Sequence, residues 1–119
     1  MLALKDIPRF KALGAIASMQ PTHATSDMPW ADERLGPDRL AGAYAWRKVL
    51  ATGAHLVGGS DFPVEEVSPL LAFYAGVTRQ DAQGNPPGGW LPGEKLELEE
   101  VIHMFTVEPA YAAFAEKQR

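Results

Sequence analysis

Short apolar runs alternate with polar, turn-rich stretches along this chain, and the longer apolar patterns repeat at helical spacing. "DIPRFKAL" predicts a helix over about residues 6–13. Asp6 can cap it, Pro8 is tolerated in the first turn, and Gly14 ends it. "AIASMQ" follows directly, a brief apolar run stopped by Pro21, and predicts a buried strand over about 15–20. "PTHATSDMPWADERLG", Pro21 to Gly36, has no sustained period and many turn formers. It reads as a long loop, of a length that is often functional in compact domains. "PDRLAGAYAWRKVLATG" predicts the strongest helix, about 37–52, with Pro37 in its first turn and Gly53 beyond its end. Leu40, Ala43, Tyr44, Trp46, Val49 and Leu50 give it a broad apolar face.

"AHLVGG" predicts a second buried strand, about 55–59. Ser68 and Pro69 open a helix over about 68–78. "DAQGNPPGGWLPGEK" is a Gly/Pro loop carrying Trp90. "LELEEVIHMF" and "EPAYAAFAEKQR" predict closing helices over about 96–105 and 108–117, the second capped by Thr106 or Glu108. Each strand is followed by a loop and a helix, the order of a parallel α/β fold. Two short strands leave unpaired backbone on both edges, a liability in an independent domain. The pattern therefore predicts a piece of a larger fold, or an assembly that completes its sheet with a neighbour.

Composition narrows the function classes. The chain has 119 residues, one domain by length, with 46% apolar and 22% charged residues, ordinary values for a globular protein. The formal charge is −4 and the basic residues are scattered, which argues against a nucleic-acid partner, since that needs clustered Lys and Arg. There is no cysteine, so a disulfide scaffold, a thiolate zinc site and a cysteine nucleophile are excluded. Lys5 and Asp6 interrupt the first apolar run before it reaches signal-peptide length, and no run approaches a membrane span. The expectation is a cytoplasmic protein without a membrane partner.

In parallel α/β folds, functional residues gather at the carboxyl ends of strands. The first predicted strand ends at Gln20, Pro21, Thr22 and His23; the second ends at Gly58, Gly59, Ser60, Asp61 and Phe62. Asp61 has two readings: a turn-forming or capping aspartate, or a carboxylate that binds a metal or accepts a proton from water. His23 is a loop histidine bonded to a neighbour, or a contact to substrate or metal. A serine nucleophile is rejected, because the nucleophile elbow Gly-x-Ser-x-Gly needs a glycine where Phe62 stands. "GGS" alone is weak evidence for a phosphate cradle. His55 and His103 read as structural, His103 in a core or interface. The three histidines lack His-x-His or His-x-x-x-His spacing, so no local motif builds a multi-ligand zinc site. Trp46 reads as core, whereas Trp30 and Trp90 either pack or line a mouth.

The stretches "ASMQPTHATSDM", "AYAWRKVLATGAHLVGGSDFPVE", "VTRQDAQGNPPGGW" and "FTVEPAYAAF" together resemble the carboxyl-terminal part of the amidohydrolase superfamily. The resemblance is to its YtcJ-like metal-dependent hydrolases (amidohydrolase family 3), and it covers nearly the whole chain in order. It implies a helix-rich α/β fold: the last two β/α units of a TIM-type (β/α)8 barrel plus carboxyl-terminal helices, an incomplete barrel. It implies hydrolysis of carbon–nitrogen, non-peptide bonds in a small-molecule substrate with a divalent metal, zinc by preference. Asp61 then matches the last-strand aspartate that touches the metal and takes the proton from the attacking water. His23 matches a histidine after the seventh strand and a substrate contact, with Gln20, Ser60 and Trp90 as further candidate contacts. Gly59 and Ser60 belong to the motif as geometry first.

The family's other metal ligands have no counterpart in this sequence. One aspartate does not hold a catalytic divalent ion, which wants three or more protein ligands. The chain alone is expected to be inactive, to bind no metal tightly, and to self-associate through exposed apolar faces. The competing expectation is a small non-enzymatic α/β module that oligomerises and binds an anion at Gly58–Asp61.

Overall fold

A computed structural model describes residues 1–118. It is a helix-rich α/β structure in which seven helices surround one pair of parallel strands. A 3₁₀ turn, Leu4–Asp6, leads into α1, Ile7–Leu13, which Gly14 ends in a left-handed conformation, φ 66°. Asp6 stands at the amino end but does not cap it; its carboxylate accepts from Arg9 Nη1 at 2.9 Å instead. The strands are shorter than the apolar runs predict: β1 is Ala17–Ser18 and β2 is Leu56–Val57. They pair in parallel, Ala17 with Leu56 and Ser18 with Val57. The ladder is extended by Ala17 N–H to His55 O at 3.0 Å and Met19 N–H to Val57 O at 2.9 Å.

Two expected elements are corrected. Pro21–Gly36, read as a loop, is helical from Pro21 to Leu35, here α2. Its buried positions include Pro21, Ala24 and Ala31, with Met28 and Leu35 packed against the core. That is a 3–4 spaced stripe of mostly small residues, hidden between Thr, Ser and Asp. Hydrophobic periodicity detects large apolar residues, and here alanine carries the buried face. Pro21 occupies the first turn, where its missing N–H costs nothing.

The single helix expected over 37–52 is broken. α3 spans Pro37–Leu40 and α4 spans Trp46–Ala51. Between them Gly42 accepts a hydrogen bond from Leu2 N–H at 2.8 Å, and a Cβ on Gly42 would collide with the Leu2 carbonyl. Tyr44 then turns through φ 46°, outside helical space. Tertiary docking of the amino-terminal segment overrides a good local helix signal.

Ser68 precedes α5, Pro69–Thr78, but makes no side-chain cap bond. α6, Leu98–Phe105, opens instead on a capping box formed by Glu97 and Glu100. α7 spans Val107–Ala112; Phe114, exposed and at φ 56°, ends the helical run short of the expected residue 117. Thr106 stands at its start and donates back to Ile102 O, so it too leaves the cap unmade.

The core lies where α2, α4, α5 and α6 close over the strand pair, with Trp46, Val49, Leu56, Val101 and Met104 fully buried. Glycine sets the close approaches. A Cβ on Gly76 of α5 would lie 2.9 Å from Val101 Cγ2 of α6. On Gly58, just after β2, it would lie 2.5 Å from the Phe105 ring. The Gly58 N–H is spent on Met104 O at 2.8 Å, which ties the end of β2 to α6.

At the opposite end of β2, His55 Nδ1 lies 2.7 Å from Glu108 Oε2 and its ring stacks on Tyr111 at 4.0 Å. These contacts fasten α7 beneath the strand, the structural role expected of His55. His103 is exposed on α6, not in the core. Exposed apolar residues cluster along Phe62, Val64, Val67 and Leu70, on the loop after β2 and the start of α5. Among the described residues no helix is long and apolar enough to cross a membrane.

Candidate active site

The carboxyl ends of β1 and β2 stand side by side because the strands pair in parallel and in register. β1 runs through Gln20 into α2, whose first turn carries His23. β2 runs through Gly58 and Gly59 into a turn carrying Asp61. The two mouths meet: His23 Nε2 lies 3.4 Å from Asp61 Oδ2. The contact is an ion-pair distance rather than an aligned hydrogen bond, and Nε2, buried from solvent, has no hydrogen-bond partner. The Gln20 amide nitrogen sits 4.0 Å from where a Gly59 Cβ would be, which places Gln20 beside the end of β2.

Asp61 sits in a tight turn. Its backbone is held by Val64 N–H to Asp61 O at 2.8 Å, and its side-chain acceptor is Ser60 Oγ, which takes the Phe62 N–H at 3.3 Å. The Asp61 carboxylate caps no backbone N–H, and half of the side chain is exposed. Asp61 adopts φ 58°, a left-handed conformation that favours glycine and costs other residues of order 1 kcal/mol. The carboxylate thus stands at a left-handed turn position, with His23 as its nearest ionisable neighbour. The anion cradle loses a donor, because the Gly58 N–H is already committed to Met104.

His23, Gln20, Ser60 and Asp61 thus gather around the two strand ends. Trp90 does not join them. It is buried, its indole N–H donates to Asp32 Oδ1 at 2.9 Å, and its ring packs 5.7 Å from that of Tyr44. Trp30 is half-exposed on α2, with the Arg34 guanidinium 5.8 Å from its ring. Beside His23 and Gln20 lies a cavity of about 260 Å³, walled also by Met19, Leu2 and Tyr44.

Behind this cavity stands a residue that sequence reasoning passed over. Arg79 is completely buried at the end of α5. Its Nε donates to Trp90 O at 2.8 Å and its Nη1 to Tyr44 O at 3.0 Å. Its guanidinium lies 4.3 Å from the Trp46 ring and 5.2 Å from the Trp90 ring. Burial pulls its pKa down to about 10. Burial and the hydrogen bond to Asp27 push the Tyr44 hydroxyl well above the ordinary tyrosine range. Two further pairs brace the same side: Lys48 with the buried Glu94, and Arg47 with Glu100 through two bonds of 2.6 Å. The signal for Arg79 was present in "TRQD…GGW", an arginine between an apolar helix and a glycine-bounded tryptophan, but a charged residue beside a Gly/Pro loop reads as solvated.

The metal expected from the resemblance finds few donors here. Among the described residues no three His, Cys, Asp or Glu side chains come together. His23 and Asp61 offer one imidazole and one carboxylate, short of the three or more protein ligands a catalytic divalent ion takes.

The family model described as "Amidohydrolase family" matches residues 1–119. The chain belongs to the amidohydrolase family. It is 34% identical over 113 residues to the Bacillus subtilis (strain 168) protein named "Putative amidohydrolase YtcJ", covering 95% of this chain and 21% of that one. It is 31% identical over 114 residues to "Protein LONG AFTER FAR-RED 3" of Arabidopsis thaliana, covering 95% and 19%. An uncharacterized metal-dependent hydrolase from Pyrococcus horikoshii OT3 superposes with a TM-score of 0.85 at 27% identity, over 97% of this chain and 23% of that one. One from Pyrococcus furiosus superposes at 0.78 and 28% identity, over 98% and 23%. The chain therefore spans about a fifth of the length of the curated relatives it matches, 21% and 19%. Its helix-rich α/β structure fits a part of an amidohydrolase fold.

Proposed function

We propose that these residues are the last two β/α units and closing helices of a (β/α)8 amidohydrolase barrel that hydrolyses carbon–nitrogen, non-peptide bonds in small molecules. The observation that carries this reading is the meeting of His23 and Asp61, 3.4 Å apart, at the carboxyl ends of adjacent parallel strands. That end of a barrel is where catalytic groups collect. Asp61 is the proton acceptor for the attacking water, a role suited to a half-exposed carboxylate with no cap to serve. His23 holds the substrate beside it, and Gln20 and Ser60 shape the wall. Trp90 acts through Arg79 and Tyr44, as a support of that wall.

A divalent metal, zinc by the resemblance, belongs to this reading of the complete barrel, and this chain contributes no more than Asp61 toward it. The 119-residue chain alone accordingly binds zinc weakly and turns over no substrate. Zinc titration by calorimetry, with a hydrolysis assay on a panel of cyclic amides and anilides, tests both statements. Tight stoichiometric binding or turnover by the isolated chain overturns them. Replacing the matching fifth of the Bacillus subtilis relative with these residues tests the barrel placement: a folded, hydrolytically active chimera supports it, and a folded, inactive one opposes it.

A further inference from the structure

The cavity of about 260 Å³ beside His23 has walls that are held from behind. Met19 and Gln20 come from the end of β1, Leu2 from the amino-terminal segment, and Gly42 and Tyr44 from the connection between α3 and α4. Leu2 N–H is bonded to Gly42 O at 2.8 Å. Tyr44 is fixed at both ends. Its carbonyl accepts from Trp46 N–H at 2.9 Å and from the buried Arg79 Nη1 at 3.0 Å, and its hydroxyl donates to Asp27 of α2. Its φ of 46° is one that a bulky residue rarely adopts. A strained residue gripped by a buried guanidinium makes a preorganised wall, one that resists collapse into the space beside it.

The walls also select by charge. Among the described residues, no acidic or basic side chain other than His23 lines this cavity. The His23 ring has Asp61 Oδ2 3.4 Å from its Nε2, so a charge on the imidazole finds its counter-charge there. Burial and the bond to Asp27 keep the Tyr44 hydroxyl protonated. A charged group set among Leu2, Met19 and Tyr44 would therefore lose hydration and gain no partner, whereas an apolar group gains from burial. An engineered apolar cavity of about 150 Å³ takes a benzene molecule. This one has room for a ring and a few further atoms.

We propose that this cavity receives an uncharged, apolar substituent of the substrate, about one ring in size, against the fixed wall of Tyr44. A few polar groups at one end of a mostly apolar, preformed pocket is the usual build of a small-molecule site, and here Gln20 and His23 supply them. His23 borders the cavity and also meets Asp61, so a group bound here lies next to the strand ends. As the pocket for a substituent of the scissile carbon–nitrogen bond, the cavity rests on the proposed hydrolase reading; as a binding site it does not.

The test is an amide NMR titration of the ¹⁵N-labelled chain with benzyl alcohol, against benzylammonium chloride and sodium benzoate at matched ionic strength. Saturable shifts at Leu2, Met19, Gln20, His23 and Tyr44 are expected with benzyl alcohol. Both charged probes should bind at least about tenfold more weakly, since neither finds a partner for its charge. Ser18 is exposed and lines the same cavity, so Ser18→Leu fills part of it from a position that packs against nothing. That variant should keep the Tm of the parent chain and bind benzyl alcohol at least about fivefold more weakly. Absent or unsaturable shifts, equal affinity for a charged probe, shifts centred on the exposed Phe62, Val64 and Val67 instead, or unchanged affinity in folded Ser18→Leu overturn the proposal. If Ser18→Leu fails to fold, the three probes on the parent chain decide alone. An undispersed spectrum of the parent chain overturns the cavity together with the fold that forms it. The titration reads binding without turnover, so its failure leaves the role of Asp61 standing. A folded, inactive chimera beside a successful titration strikes the hydrolase reading and leaves the binding site.

Discussion

Removing the Arg79 guanidinium should cost this chain more stability than any surface change. In Arg79→Ala the Trp90 carbonyl loses its donor, at about 1–3 kcal/mol for a buried group left unpaired, while the Tyr44 carbonyl keeps its second donor, Trp46 N–H at 2.9 Å. The contacts with the Trp46 and Trp90 rings go as well, worth up to about 2 kcal/mol when desolvated. Against this, the folded state no longer buries a charge, the penalty visible in the fall of the Arg79 pKa to about 10. The net expectation is a loss of about 2–4 kcal/mol, a large share of the roughly 5–15 kcal/mol typical of a domain. Arg79→Lys keeps the charge but lacks the planar fork that serves two carbonyls at once, so about half of that loss is expected. Urea unfolding followed by tryptophan fluorescence suits the question, since two of the three tryptophans flank the guanidinium. With a slope of about 1–3 kcal/mol/M, the alanine midpoint should fall by roughly 1–2 M. An alanine variant within about 1 kcal/mol of the parent chain would refute the idea that Arg79 anchors this end of the fold.

Other outcomes follow from single features. Gly58→Ala would place a methyl 2.5 Å from the Phe105 ring and 2.9 Å from Met104 Cγ, so a loss of about 1–3 kcal/mol is expected in thermal unfolding. Hydrogen bonds from Arg47 hold the Glu100 carboxyl below the usual carboxylate range. Its contribution is therefore full above the ordinary glutamate pKa and lost as pH falls through the lower folded value. The Tm gap between the parent chain and Glu100→Gln should close on acidification from about pH 7 to about pH 3. Exposed Phe62, Val64, Val67 and Leu70 predict self-association of the isolated chain, which light scattering would detect as a mass above 12.9 kDa; a monodisperse monomer would count against it.

Much of the site could be read in the sequence because strand ends in parallel folds carry chemistry, and two brief apolar runs each ended in one titratable group. His23 and Asp61 were both placed that way. α2 was not legible, because alanine and proline carry its buried stripe and do not stand out from threonine and serine. The break at Gly42–Ala45 was not legible either. Its cause is the docked backbone of Leu2 and the grip of Arg79 on Tyr44, partners distant in sequence. Trp90 was placed in the right loop with the wrong company, since its indole N–H is satisfied by Asp32, 58 positions away. Propensity and periodicity report local preference; the last two of these misses are long-range contacts.

The central claim is that the Asp61 carboxylate performs proton transfer at the meeting of the two strand ends. Hydrolysis by the chimera with the Bacillus subtilis relative, compared with its Asp61→Asn form at equal folded fraction by circular dichroism, measures this directly. The account predicts a fall in kcat of about 10²–10⁴-fold with little change in Tm. An asparagine variant within about threefold of the parent kcat would contradict it.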